Sequence, residues 1–94
     1  MLIGGHDAKN VMIISDHYAE IMDKIHESLE RGTTIIQAVG GYSQQQKPVL
    51  MVVVVNKQLP ELQKMVAHID SEAFVIVMNA NEVQGLGFSY EEEL

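Results

Sequence analysis

At 94 residues and 47% hydrophobic, the chain is sized for one small domain with a single core. It has no cysteine, which excludes disulfides, thiolate catalysis and thiolate metal sites. A formal net charge of −7 with a single arginine, Arg31, excludes the clustered basic surface that a nucleic-acid backbone or an acidic membrane requires.

Met1 to Lys9, with Gly4 and Gly5, read as a leader or linker remnant ahead of a domain over residues 10–88. Nothing in it has the charged-then-apolar layout of a signal peptide. Val11 to Ile14 form a first strand. Ser15 and Asp16 are good N-caps. They open a helix with Tyr18, Ile21, Met22, Ile25 and Leu29 at the i, i+3, i+4 spacing of one buried face. Gly32 is placed to end that helix in a left-handed conformation. Thr33 to Val39 are rich in β-branched residues and read as a second strand.

A polar stretch from Gly40 to Lys47 then leads into Pro48 and the run Val-Leu-Met-Val-Val-Val-Val, residues 49–55. Strand side chains alternate between faces, so Leu50, Val52 and Val54 line one side and Met51, Val53 and Val55 the other. The strand is apolar on both. Pro60 suits the first turn of a second helix with Leu59, Leu62, Met65, Val66 and Ile69 inward. Asp70 to Glu72 turn the chain into a fourth strand, Phe74 to Met78. Residues 89–94 close the chain as an acidic, solvated tail. The longest apolar run is about seven residues against the roughly 20 that span a bilayer, so the chain reads as soluble.

The order βαββαβ predicts an α+β fold, the ferredoxin-like plait. Its four-stranded antiparallel sheet has strand order 4-1-3-2 and both helices on one face. Two helices cannot cover both faces of apolar strands, so Met51, Val53 and Val55 are expected to be buried by another copy in a homo-oligomer.

The plait hosts unrelated functions, so function has to come from a site. The central strands, Val11 to Ile14 and Leu50 to Val55, carry no aromatic residues for stacking RNA bases. Ser15-Asp16-His17 offers no arginine to hold a phosphate beside the first strand. His6, His17, His26 and His68 lack metal-ligand spacing; His26 and Glu30, four apart, make at most a pair. No metal or cofactor is expected, and no pair of titratable groups is placed for acid–base catalysis. The loop is the best candidate for ligand binding. Gly40 and Gly41 would let backbone amides approach a ligand, Tyr42 and Ser43 would contact it, and Lys47 would pair with an anion. The plainer alternative is a glycine bulge with a solvated hairpin tip. Gly85 and Gly87 could form a second cradle.

Several segments resemble one family in order and spacing. They are Ala8-Lys9 before Val-Met-Ile-Ile-Ser, Arg31-Gly32-Thr33-Thr34, Gly40-Gly41-Tyr42-Ser43, Lys47-Pro48-Val49-Leu50, Ile69-Asp70, Ala73 to Val77, Glu82-Val83 and Gly85-Leu86-Gly87-Phe88. The chain is similar, from about Ala8 to Phe88, to the C-terminal cytosolic domain of the YitT family of bacterial membrane proteins. The resemblance implies a GlnB-like (PII-like) plait, a trimer, and a soluble domain excised from a parent with membrane helices, on the cytoplasmic side. Two readings follow: a non-catalytic sensor domain that binds a small, anionic effector near the loop, or a pure oligomerisation module with no ligand. The resemblance departs at Gln44, where family members often carry glycine.

Overall fold

The computed structural model describes residues 8–80, together with the backbone of residues 3–4 and 82–83. The expected cradle at Gly85 and Gly87, the acidic tail 89–94 and most of the leader lie outside the described residues. In chain order the elements are β1 (Ile3–Gly4), β2 (Ala8–Ile14), α1 (Tyr18–Ser28), β3 (Thr34–Ile36), β4 (Val49–Val55), a single 3-10 turn (Asn56–Gln58), α2 (Leu59–Ile69), β5 (Phe74–Asn79) and β6 (Glu82–Val83). β1 and β6 pair with each other as a separate two-stranded antiparallel ladder.

The four longer strands form one antiparallel sheet in the order β3-β4-β2-β5, which is the expected 4-1-3-2 arrangement. With two helices this is the ferredoxin-like plait. β4 is central, and Ile13 faces Leu50 while Val11 faces Val52. These side chains and Val54 meet Ile21 and Ile25 from α1, Leu29 just after it, and Leu62, Met65 and Val66 from α2 in one cluster. Burying each large aliphatic side chain contributes about 1.5–3 kcal/mol, so this layer dominates the favourable side of folding.

The other sheet face carries Met12 and Ile14 from β2, Val49, Met51 and Val53 from β4, and Ile76 and Met78 from β5, by the ladder register. Neither helix lies over it. Asn10 sits among them, opposite Val53 and Met78, and its Oδ1 is buried without a hydrogen-bond partner.

Three local expectations are corrected. β2 begins at Ala8 rather than Val11, because Ala8, Lys9 and Asn10 continue the ladder onto Val55, Val54 and Val53. β3 stops at Ile36; the chain rejoins its neighbour only at the single bridge between Val39 and Gln46. Gly32 is not left-handed. Leu29 ends α1 by donating its N–H to the Ile25 carbonyl at 2.9 Å, and the next residue, Glu30, takes the left-handed turn at φ 55°. His26 makes an exposed polar contact, its Nε2 standing 2.8 Å from Thr33 Oγ1.

Gln58 locks the end of α1 to the start of α2. Its Oε1 accepts from Arg31 Nε at 3.0 Å and from the Val55 N–H at 3.2 Å, and its Nε2 donates to the Leu29 carbonyl at 3.2 Å. The buried Arg31 is thereby held against the core.

A left-handed conformation costs a residue with a Cβ roughly 1–2 kcal/mol, and glycine pays part of that back in unfolded-state entropy. Glu30→Gly is therefore expected to stabilise the fold by about 0.5–1 kcal/mol in urea melts. A loss of stability would show that Glu30 makes a compensating contact.

Candidate functional site

The polar loop is a hairpin closed on itself. Gly40 donates its N–H to the Gln45 carbonyl at 2.8 Å, Gln44 donates to the Gly40 carbonyl at 2.9 Å, and Lys47 donates to the Ala38 carbonyl at 2.7 Å. Gln44 sits at the turn with φ 61°, and its side-chain amide donates to the Gly41 carbonyl at 2.8 Å. A positive φ is where glycine is relaxed, and at this turn it falls on Gln44. Gln44 compensates with its amide bond.

The paired glycines do different jobs. A Cβ on Gly40 would stand 2.7 Å from Ser43 Oγ, so its smallness serves the loop's own closure. A Cβ on Gly41 would meet nothing within 4 Å. Tyr42 is fully exposed and packs on nothing. Ser43 turns inward, its Oγ accepting from the Gln45 N–H at 3.3 Å. Of the residues singled out in the loop, Lys47 lines a cavity at the loop's base.

That cavity, about 340 Å³, lies between the loop's base, the entry to α1 and the exit of α2. Gln45, Gln46, Lys47 and Pro48 form one side, Ser15 to Tyr18 another, and Asp70 with Glu72 the third. Ser15, expected as a helix cap, instead ties two segments together. Its Oγ donates to Asp70 Oδ2 at 2.6 Å and accepts from the His17 N–H at 2.9 Å. Asp70 Oδ1 accepts from the Glu72 N–H at 2.9 Å. The Ser15 hydroxyl, the Glu72 N–H and then the nearby His17 hold the Asp70 carboxyl below the usual aspartate range, against an opposing effect of burial.

α1 starts at Tyr18 with His17 as its cap residue and no side-chain bond to the first-turn amides. Those donors and Lys47 favour negative charge in the cavity; Asp16, Asp70 and Glu72 oppose it. Asp70, doubly hydrogen-bonded and ionised, is a poor proton carrier near neutral pH. Sequence reasoning missed the contribution of Asp70 and Glu72, which lie far from the loop in the chain. The only signal was the Asp-Ser-Glu turn, which reads equally as a simple connection.

The expected interface residues fall on the face without helices. Met51 and Val53 are half-buried there, and Val55 is only 6% exposed. No group of three or more metal-ligating side chains stands together among the described residues. No helix among them is long and apolar enough to cross a membrane.

Residues 31–85 match the family described as "Uncharacterized protein conserved in bacteria (DUF2179)". The chain is 38% identical over 86 residues to the UPF0750 membrane protein YvjA of Bacillus subtilis, covering 92% of this chain and 31% of that one. It is 28% identical over 80 residues to the UPF0750 membrane protein YitT of the same organism, covering 85% and 29%. The chain thus spans about a third of the length of these relatives. A crystal structure of a DUF2179 protein from Eubacterium ventriosum superposes with a TM-score of 0.68 at 31% identity, covering 76% of this chain and 97% of that one. CutA from Synechococcus elongatus, in complex with a Bis-Tris molecule, superposes with a TM-score of 0.70 at 14% identity, covering 100% and 96%, a likeness of fold alone.

Removing the hydroxyl that bonds Asp70 tests the tie across the cavity floor. Because the folded-state pKa is lowered, the Asp70 interaction contributes stability above the unfolded-state pKa and loses it as pH falls through the folded value. Ser15→Ala is expected to move the Asp70 carboxyl titration, followed by NMR, up toward the ordinary aspartate value. It should also weaken the acid limb of the stability curve. An unchanged titration would mean that the Glu72 N–H alone sets the shift.

Proposed function

Because the chain belongs to the DUF2179 family, whose relatives here include membrane proteins, we propose that it is a non-catalytic domain that assembles copies of its parent membrane protein. What supports this reading is the sheet face without helices. Met12, Ile14, Met51, Val53, Ile76 and Met78 present there an apolar surface, with Asn10 among them and Thr34 on the edge strand opposite Met51. An apolar patch of a few hundred Å² or more on a small domain marks an interaction surface. Burial at roughly 25 cal/mol per Å² makes such a face worth several kcal/mol. A second copy brings the same uncharged surface, whereas a charged partner would have to desolvate its ions against it. Three copies, on the cytoplasmic side of the membrane, is the arrangement that the resemblance to PII-like plaits implies.

Light scattering is expected to give a small integral multiple of the monomer mass at micromolar concentration. Val53→Asp, which would bury a carboxylate in that face, should shift the protein to monomers with little loss of fold by circular dichroism. A well-behaved monomer in the unmutated chain would overturn the reading.

The cavity under the loop favours a second, compatible role in sensing. Its volume of about 340 Å³ suits a small effector. The amides of α1 and Lys47 offer the donors for one anionic group. A ligand that binds only the native state raises its melting temperature. Inorganic phosphate, nucleotides and small carboxylates, screened at about 100 times their dissociation constants, would each stabilise by about 2.7 kcal/mol if bound. Lys47→Ala should abolish the shift and leave the assembly intact. No shift with any of these compounds would leave the domain as an assembly module without an effector.

A further inference from the structure

The helical layer, on the side of the sheet away from the open face, carries a feature of its own. A groove of about 310 Å³ lies between α1 and α2. Met65 and Ile69 supply apolar surface to it from α2. Met65 belongs to the core cluster and Ile69 packs against that cluster, so the groove is a place where the core comes to the surface. From α1 come Glu20, Asp23, Lys24 and Glu27. Their i, i+3, i+4, i+7 spacing sets all four along one stripe of the helix.

The charge along that stripe is one-sided. Three carboxylates stand against one ammonium, and Lys24 already reaches Glu27 at 3.6 Å. Glu20 has His17 Nδ1 at 3.9 Å, a charged partner only when the ring is protonated. Asp23 has no ion-pair partner among the described residues. Exposed pairs of this kind are weak and exchange readily, so an incoming cation finds carboxylates to meet. A second copy of the chain would bring the same stripe and the same net charge of −7, and like charges repel. Anionic lipid and nucleic acid are disfavoured on the same ground.

We propose that the groove takes a cationic, amphipathic helical segment. Its apolar side chains would lie on Met65 and Ile69, and its Lys or Arg side chains beside Glu20, Asp23 and Glu27. Docking of a helix into a groove works through anchors at i, i+3 and i+4, and methionine adapts its shape to them. The relatives indicate the source. The chain spans about a third of the membrane proteins YvjA and YitT, which leaves the greater part of each outside this domain. Loops on the cytoplasmic side of membrane helices carry an excess of Lys and Arg. The occupant is therefore assigned to a segment flanking a membrane helix of the same parent chain. The inference rests on the proposed membrane parent and its cytoplasmic placement, and uses the opposite side of the sheet from the assembly surface.

A synthetic peptide of Lys and Leu, with Leu at i, i+3 and i+4, is titrated into the isotopically labelled protein. Amide shifts are expected to concentrate on α1 at Glu20, Asp23 and Glu27 and on α2 at Met65 and Ile69. Affinity should fall several-fold between about 0.01 and 0.15 M salt, as the screening length drops from about 30 to 8 Å. The double variant Asp23→Lys, Glu27→Lys should lose the binding. It should keep the circular dichroism and the light-scattering mass of the unmutated chain. Overlapping peptides covering YvjA outside the matched region are then probed with both proteins. Those rich in Lys and Arg beside membrane helices should bind the unmutated chain alone. Shifts confined to the open face, at Met51 and Val53, would overturn the proposal. So would equal binding by a scrambled peptide of the same composition, which marks plain attraction to an acidic protein. Absence of binding would overturn it as well, and the scattering mass judges the assembly separately. A model peptide that binds while no YvjA segment does would overturn the assignment to the parent chain.

Discussion

The seven residues from Val49 to Val55 put apolar side chains on both faces of a strand that has helices on one side only. Most other features answer to that constraint. On the helix side, β4 and β2 supply Leu50, Val52, Val54, Val11 and Ile13 to a single cluster, and the helices need only one buried stripe each. Gln58 and the Ser15–Asp70 bond then fix where those helices begin and end. On the other side the same backbone alternation leaves Met51 and Val53 facing outward beside Met12 and Met78. The hydrophobic effect has no preference for which chain supplies the cover. A domain of this size has no third layer to offer.

The cavity and the open face divide the polar and apolar roles of the fold. Around the loop base, polar groups satisfy one another: Ser15, Asp70 and the amides of His17 and Glu72 form a short relay that rigidifies the floor. The open face is largely apolar, and on it Asn10 has a buried Oδ1 that finds no partner within the described residues. A buried amide left in that state costs about 1–3 kcal/mol, a cost that the surrounding burial has to offset.

Period and alternation made the fold legible. The i, i+3, i+4 rows at Ile21 and Ile25 and at Leu62, Met65 and Val66, between strands of unbroken apolar residues, specified the order of elements. Chirality of the crossovers then limited the sheet to one arrangement. Element ends were less legible, because they depend on single side-chain bonds. Ser15 fits a cap but bonds across the fold to Asp70. Gly32 could turn left-handed, yet the helix had already ended at Leu29 and the turn fell on Glu30. Of the candidate site, Lys47 was read into the cavity's lining. Asp70 and Glu72 reach it because α2 returns antiparallel to α1's entry, a meeting in space that local spacing does not encode.

The position of β2 at the centre of the sheet has a kinetic consequence. It is the first of the four strands along the chain, and both of its neighbours come much later, Val11 meeting Val52 and Val77. Until those segments arrive, the first apolar strand has no partner on either edge. Its pairings are all distant in sequence, so loop closure must be completed before they reward it, and folding is expected to be slow beside a helical bundle of equal size. During synthesis β2 emerges early and waits. In that interval a strand that buries well in the finished fold is an unpaired apolar segment, open to mispairing with other nascent chains.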